Sequence, residues 1–171
     1  MLHGYERTTM RSIANATGIK LGSITYYFKS KEDILYATMS AIIGSGEEKA
    51  LATQQAHKNV KAKLQSLIEV ELDSFLNDTG AIVIKEWRCL HKARRTQLIA
   101  HQKVYENIWS SVLTECHEMG IIRSKPEIAR RVLYGAFAWS ESWNGMDSAL
   151  DIPELASEIM KLITCEAGPH D

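Results

Sequence analysis

A chain of 171 residues, 45% hydrophobic, with only 10 glycines and 3 prolines, is long and apolar enough to bury a substantial core and is neither disordered nor fibrous in composition. Cys89, Cys116 and Cys165 are odd in number and lack a Cys-x-x-Cys pair, which reads as reduced thiols rather than a disulfide framework. The net charge is −1, yet residues 1–31 hold Arg7, Arg11, Lys20, Lys29 and Lys31 against Glu6 alone, a net +4 that leaves −5 on residues 32–171. A basic end on an acidic body is the footprint of a nucleic-acid contact, with a solvated basic patch as its alternative. No apolar run reaches the roughly 18 residues of a membrane span and no signal-peptide pattern opens the chain, so the expectation is a cytoplasmic protein with no membrane partner.

In chain order, Thr8 or Thr9 is placed to cap a first helix whose narrow apolar side holds Met10, Ile13 and Ala14. Gly18 supplies the left-handed residue that ends it, and a short second helix is expected over about Leu21 to Phe28. Two short helices around a glycine turn form a helix-turn-helix, whose second helix enters the major groove. Ser30 and Asp33 form a capping pair for a helix from Lys31 to Ile43, with a kink or pause at Gly44-Ser45-Gly46.

A helix with Val60, Leu64, Leu67, Ile68, Leu72 and Phe75 on one side spans about Asn59 to Asn77. A turn at 77–80 precedes an apolar helix through Ile82, Val83, Ile84 and Trp87 to Leu90. Tyr105, Ile108, Trp109, Val112, Leu113 and Cys116 follow helical spacing, and Gly120 closes that helix. Capping boxes at Ser124–Glu127 and Asp151–Glu154 open two further helices, both with broad apolar stripes. Strand alternation never persists, so the fold class is all-α.

Chemistry of other kinds finds little purchase. Cys89 lies near His91 and Cys116 adjoins His117, but neither pair has an orienting third group, and adjacent helical residues point apart. His57, His91, His101 and His117 lack metal-ligand spacing. No enzyme activity, metal or cofactor is expected.

The run Gly4-Tyr5, Thr8 to Ala14, Gly18-Ile19, Gly22-Ser23-Ile24 and Tyr26 to Lys31 resembles the TetR family of bacterial transcriptional regulators. Thr25 stands where that family usually has an aromatic, and Tyr27 where it often has histidine. The resemblance implies a DNA-binding domain over residues 1–43 and a ligand-binding and dimerisation domain over 44–171. It also implies a further helix at the start of the head, of which Met1-Leu2-His3 are only the tail end, so the expectation is a head lacking its first helix, with weak DNA affinity. A headless member that acts by pairing with longer relatives is the alternative.

Carried over by position, Thr9 and Arg11 are expected at phosphates or flanking bases. Lys20, Leu21, Gly22 and Ser23 lie at the base-reading end of the second helix, Lys20 and Ser23 as donors and Gly22 as a close-approach point. Thr25, Tyr26, Tyr27 and Lys31 suit the DNA backbone, with core packing as an alternative for Tyr27, while Ile24 and Phe28 are expected in the core. The partners implied are a palindromic double-stranded operator, a second copy docked through the last two helices, and a small-molecule effector that shifts the population of DNA-competent heads.

Segments 86–88, 105–109 and 131–143 are similar to TetR-like regulators that respond to acyl-coenzyme A thioesters, although Ser142 stands where arginine is common there. Trp87, Arg88, Tyr105, Trp109, Arg131, Tyr134 and Trp139 are the expected ligand contacts, with Trp143 nearby. The alternatives are plain core packing for the aromatics and helix-surface or interhelical salt bridges for Arg88 and Arg131.

Overall fold

The computed structural model describes residues 4–76, 79–140 and 151–165. Among them every regular element is a helix, and none is long and apolar enough to cross a membrane. Ser142 and Trp143 lie outside the described residues.

The head consists of α1 (Gly4–Arg7), α2 (Met10–Thr17) and α3 (Leu21–Tyr27). Thr9 Oγ1 accepts from the Ser12 amide at 3.1 Å while Ser12 Oγ accepts from the Thr9 amide at 2.9 Å, a reciprocal cap that satisfies two otherwise orphaned donors. Gly18 ends α2 at φ 68°, a conformation that penalises any residue with a Cβ. Ala14 and Ile24 are the buried apolar residues joining α2 to α3, with Ile13 and Phe28 half-buried beside them.

Helix α4 (Lys31–Ala56) begins at the expected capping box, the Asp33 amide donating to Ser30 Oγ at 3.2 Å and the Ser30 amide to Asp33 Oδ2 at 2.7 Å. It does not pause at Gly44-Ser45-Gly46 but continues to Ala56. The reason is tertiary: a Cβ on Gly44 would lie 3.9 Å from the His101 ring and one on Gly46 3.8 Å from Tyr105, so both glycines face helix α7 (Lys92–Glu118). Packing there outweighs a glycine penalty of about 1 kcal/mol each.

Helix α5 (Val60–Leu76) falls where its apolar spacing puts it. Helix α6 (Thr79–Lys85) is shorter than expected. Glu86 leaves helical geometry, a 3-10 turn covers Trp87–Cys89, and Leu90 is extended. Helix α7 ends in a Schellman arrangement at Gly120 (φ 70°), with the Ile121 amide bound to the Cys116 carbonyl at 2.8 Å and the Gly120 amide to that of His117 at 3.0 Å.

Helix α8 (Pro126–Ser140) starts later than a cap at Ser124 requires, because the Lys125 carbonyl accepts the first helical bond, from Ala129. Asp151 does precede α9 (Ile152–Ile163), but its side chain makes no cap hydrogen bond.

Two cores result. Leu64, Leu67, Leu72, Trp109, Leu113, Phe137 and Met160 join α5, α7, α8 and α9 into the body. Leu35, Met39, Ile43, Val83, Leu90 and Leu98 join α4 to α6 and α7 just below the head. Each fully buried large side chain contributes about 1.5–3 kcal/mol.

Candidate nucleic-acid interface and ligand cavity

The second helix of the head turns an open face outward. Lys20 precedes α3, its carbonyl holding the amides of Ser23 and Ile24 at 2.9 and 3.2 Å, which leaves its side chain exposed at the amino end. Ser23 is exposed, Leu21 is half-buried, and a Cβ on Gly22 would meet nothing within 4 Å. Tyr26 and Tyr27 are 73% and 76% exposed and pack edge to face with ring centroids 5.0 Å apart. At that exposure neither ring is buried in a core among the described residues, which excludes core packing for Tyr27. Arg11 is exposed on α2 and forms no ion pair among the described residues.

Three of the expected contacts have internal duties. Thr9 Oγ1 serves as an acceptor in the cap, leaving its proton for an outside acceptor. Thr25 Oγ1 donates to the carbonyls of Leu21 and Gly22 at 3.0 and 3.2 Å, so its proton is already engaged. Lys31 Nζ donates to the carbonyls of Tyr5 and Glu6 at 2.9 and 3.3 Å and lies 4.1 Å from the Tyr5 ring centre, strapping α1 to α4.

The head is tied to the body by polar contacts. The Tyr5 amide donates to Glu86 Oε1 at 3.2 Å and the His91 amide to Glu32 Oε1 at 2.8 Å. Arg94 donates to the Glu32 carbonyl at 2.9 Å and to Asp33 Oδ1. Its hydrogen bond holds the Asp33 carboxyl below the usual carboxylate range.

A cavity of about 470 Å3 opens between α4, α5, α6, α7 and α8. Its apolar side includes Ala41, Ile42 and Ile43 from α4 and Val83 from α6. Its polar side includes Glu71 from α5, Gln102, Tyr105 and Glu106 from α7, and Arg130 and Tyr134 from α8. Arg130 Nη2 and Nε donate to Glu106 at 3.0 and 3.4 Å, and the guanidinium lies 4.6 Å from the Trp109 ring and 5.2 Å from that of Tyr134. The Tyr105 hydroxyl donates to Glu71 Oε2. Burial, opposed by Arg130 and reinforced by Glu106, raises Glu71 to about 7. Burial, then the Glu71 charge, also raises the Tyr134 phenol.

Of the expected ligand residues, Tyr105 and Tyr134 line this cavity. Trp109 is fully buried and supports Arg130 from below. Trp87 sits half-buried in the core under the head, away from the cavity, and Arg88 is exposed on the 3-10 turn. Arg131 is exposed and Trp139 is 71% exposed. The arginine in the wall is Arg130, one position earlier, since successive helical residues point about 100° apart. Glu71 was also missed, although its place among Leu64, Leu67, Ile68 and Leu72 on an apolar helix face was a readable signal.

Cys89 and Cys116 are not poised for nucleophilic chemistry. Burial pushes Cys116 up to about 11, and burial with the Glu86 carboxylate raises Cys89. Among the described residues no three His, Cys, Asp or Glu side chains converge on a metal-sized site.

Comparison with known proteins places this arrangement. The profile described as "Bacterial regulatory proteins, tetR family" matches residues 1–38, and that described as "Tetracyclin repressor-like, C-terminal domain" matches residues 57–165. The chain belongs to the TetR family. The match of the TetR head profile over residues 1–38 does not support the expectation of a head lacking its first helix.

Among TetR relatives, the fatty acid metabolism regulator protein of Bacillus subtilis (strain 168) is 25% identical over 178 residues, covering 99% of this chain and 89% of its own. The crystal structure of superantigen PfiT is 36% identical with a TM-score of 0.79, over 94% of this chain and 87% of that one. The crystal structure of AibR in complex with isovaleryl coenzyme A and operator DNA shares the fold at 22% identity, with a TM-score of 0.80 over 94% of this chain and 89% of that one.

Proposed function

We propose that this chain is a cytoplasmic, ligand-responsive repressor, not an enzyme, that binds a palindromic operator as a homodimer and is released by a small molecule, an acyl-coenzyme A thioester. One observation carries the reading: among the described residues, Lys20 at the N-cap of α3 and Gly22, Ser23, Tyr26 and Tyr27 on its outward face are all exposed. Lys20 and Ser23 would read base edges, while Arg11, the free proton of Thr9 and the two tyrosines would contact phosphates. Leu21 would add apolar contact at the helix start. Thr25 and Lys31 would act by holding the head in shape.

Dimerisation is supported by exposed apolar residues on the last two helices. Ile128 and Val132, 49% and 63% exposed, lie one turn apart on α8, and Leu162 on α9 is 86% exposed. Gly135 has open space beside it for a close helix approach. A two-fold pair of heads would present its recognition helices about 34–36 Å apart.

Residues 1–43 would then form the DNA-binding unit and 44–171 the sensing and dimerising unit, with α4 common to both. Helix α4 lines the cavity at Ile42 and Ile43 and holds the head at Lys31, about 18 Å away at 1.5 Å per residue. A ligand that prefers one position of α4 biases head spacing by its affinity difference between the two states. The acyl thioester reading draws on the name of the Bacillus subtilis relative and on the isovaleryl coenzyme A bound in the AibR structure. Tyr105 and Tyr134 would contact it directly, with Trp109 beneath.

The test is selection of duplexes from a random pool by this chain, followed by gel shift with and without isovaleryl-coenzyme A. Enrichment of a palindrome and its release by the thioester are expected. Failure to enrich any sequence overturns the regulator reading, and a complex indifferent to the thioester overturns the effector class.

A further inference from the structure

The two walls of the cavity differ in what they can accept. Ile42, Ile43 and Val83 suit an apolar chain, while the opposite wall carries charges that are mostly matched already. Lys49 Nζ stands 2.7 Å from Asp73 Oδ2, and Arg130 is bound to Glu106 through both nitrogens described above.

Glu71 is matched less completely. It is 4% exposed, it accepts from the neutral Tyr105 hydroxyl at Oε2, and its Oε1 forms a long ion pair with Arg130 Nη2 at 3.7 Å, beyond ordinary hydrogen-bond length. A buried carboxylate with one neutral donor and one long ion pair has acceptor capacity left over, and leaving it unfilled is costly.

Three kinds of ligand group can be weighed against this wall. A carboxylate could reach only the unpartnered Arg130 Nη1 and would add a charge to a wall where Glu71, Asp73 and Glu106 already outnumber Lys49 and Arg130. An ammonium would face Arg130 at short range. A hydroxyl or amide N–H meets neither repulsion and supplies the donor that Glu71 lacks.

We infer that the effector group lodged against Glu71 is an uncharged hydrogen-bond donor on an otherwise apolar acyl body, and that the cavity refuses the matching acid and amine. The inference rests on the acyl thioester reading and specifies its acyl end. The titratable and charged groups around Glu71 are Lys49 from α4, Asp73 on α5, Tyr105 and Glu106 from α7, and Arg130 and Tyr134 from α8. Glu71 itself loses its proton at about 7. A donor prefers the carboxylate form, so affinity for such a ligand rises with pH through that region and then levels.

Calorimetric titration of the full chain with butyryl-, hydroxybutyryl-, succinyl- and aminobutyryl-coenzyme A, the last three substituted at the chain end, tests this at about pH 6 and about pH 8. The hydroxyl compound is expected to bind at least about tenfold tighter than butyryl, with the acid and the amine weaker than both. Its gain with pH should vanish in Glu71→Gln. If that variant does not fold, the wild-type ranking and pH gain decide the matter alone. Equal binding of butyryl and hydroxybutyryl, or a preference for acid or amine, overturns this inference and leaves the thioester reading standing. Binding of none of the four overturns both.

Discussion

Replacing Glu71 with glutamine should change how the fold responds to pH. The carboxyl rises from 4.5 in the free state to about 7 in the protein, chiefly through burial. The native state therefore holds this proton more tightly than the unfolded chain. Below the unfolded value the group costs nothing, and as pH climbs through the folded value its deprotonation removes stability. The full gap is worth roughly 3 kcal/mol, of which roughly 2–3 kcal/mol accrues between about pH 5 and about pH 8. Glutamine keeps an acceptor for the Tyr105 hydroxyl and leaves Arg130 bound to Glu106, and it gives up the long Glu71–Arg130 ion pair at 3.7 Å. Urea unfolding of both proteins at the two pH values, at one protein concentration, reads the effect. The variant should gain on the wild type by on the order of 1 M in midpoint as pH rises. Parallel loss of stability in both proteins would refute the buried, proton-binding role of Glu71.

Other outcomes follow from the same structure. Ser30→Ala removes the reciprocal cap of α4 and should cost about 1 kcal/mol by thermal or urea melts. Lys20→Ala should relax discrimination at one base pair by about 1–3 kcal/mol, and equal losses on operator and random DNA would defeat its base-reading role. Val132→Glu with Leu162→Glu places charges on the exposed stripes of α8 and α9 and should give monomers by light scattering without unfolding the body. Lys31→Ala should loosen the head itself, raising amide exchange in α1, because its amine holds the carbonyls of Tyr5 and Glu6.

The elements legible in the sequence were those specified by neighbouring residues. Thr9, Gly18, Ser30 and Gly120 act through hydrogen bonds or backbone angles within a few positions, and each terminus appears where those residues put it. Gly44 and Gly46 misled because their local cost is offset by His101 and Tyr105 of α7, which lie more than fifty residues along the chain. The helix through Trp87 failed for a similar reason, since Glu86 turns out of it to hold the head at Tyr5. The cavity was half legible. Tyr105 is legible as an aromatic on a helical face and Tyr134 through the resemblance over residues 131–143, but neither separates Arg130 from Arg131. Only the meeting of α5 with α7 and α8 gives Glu71 and Arg130 a common wall.

The most direct test is hydroxyl-radical and methylation footprinting of this chain on the palindrome it selects. The account predicts two protected major-groove patches one helical turn apart, both lost on adding isovaleryl-coenzyme A. Protection that ignores sequence, or a single patch untouched by mutation of Lys20 and Ser23, would contradict the assignment of α3 as the reading helix.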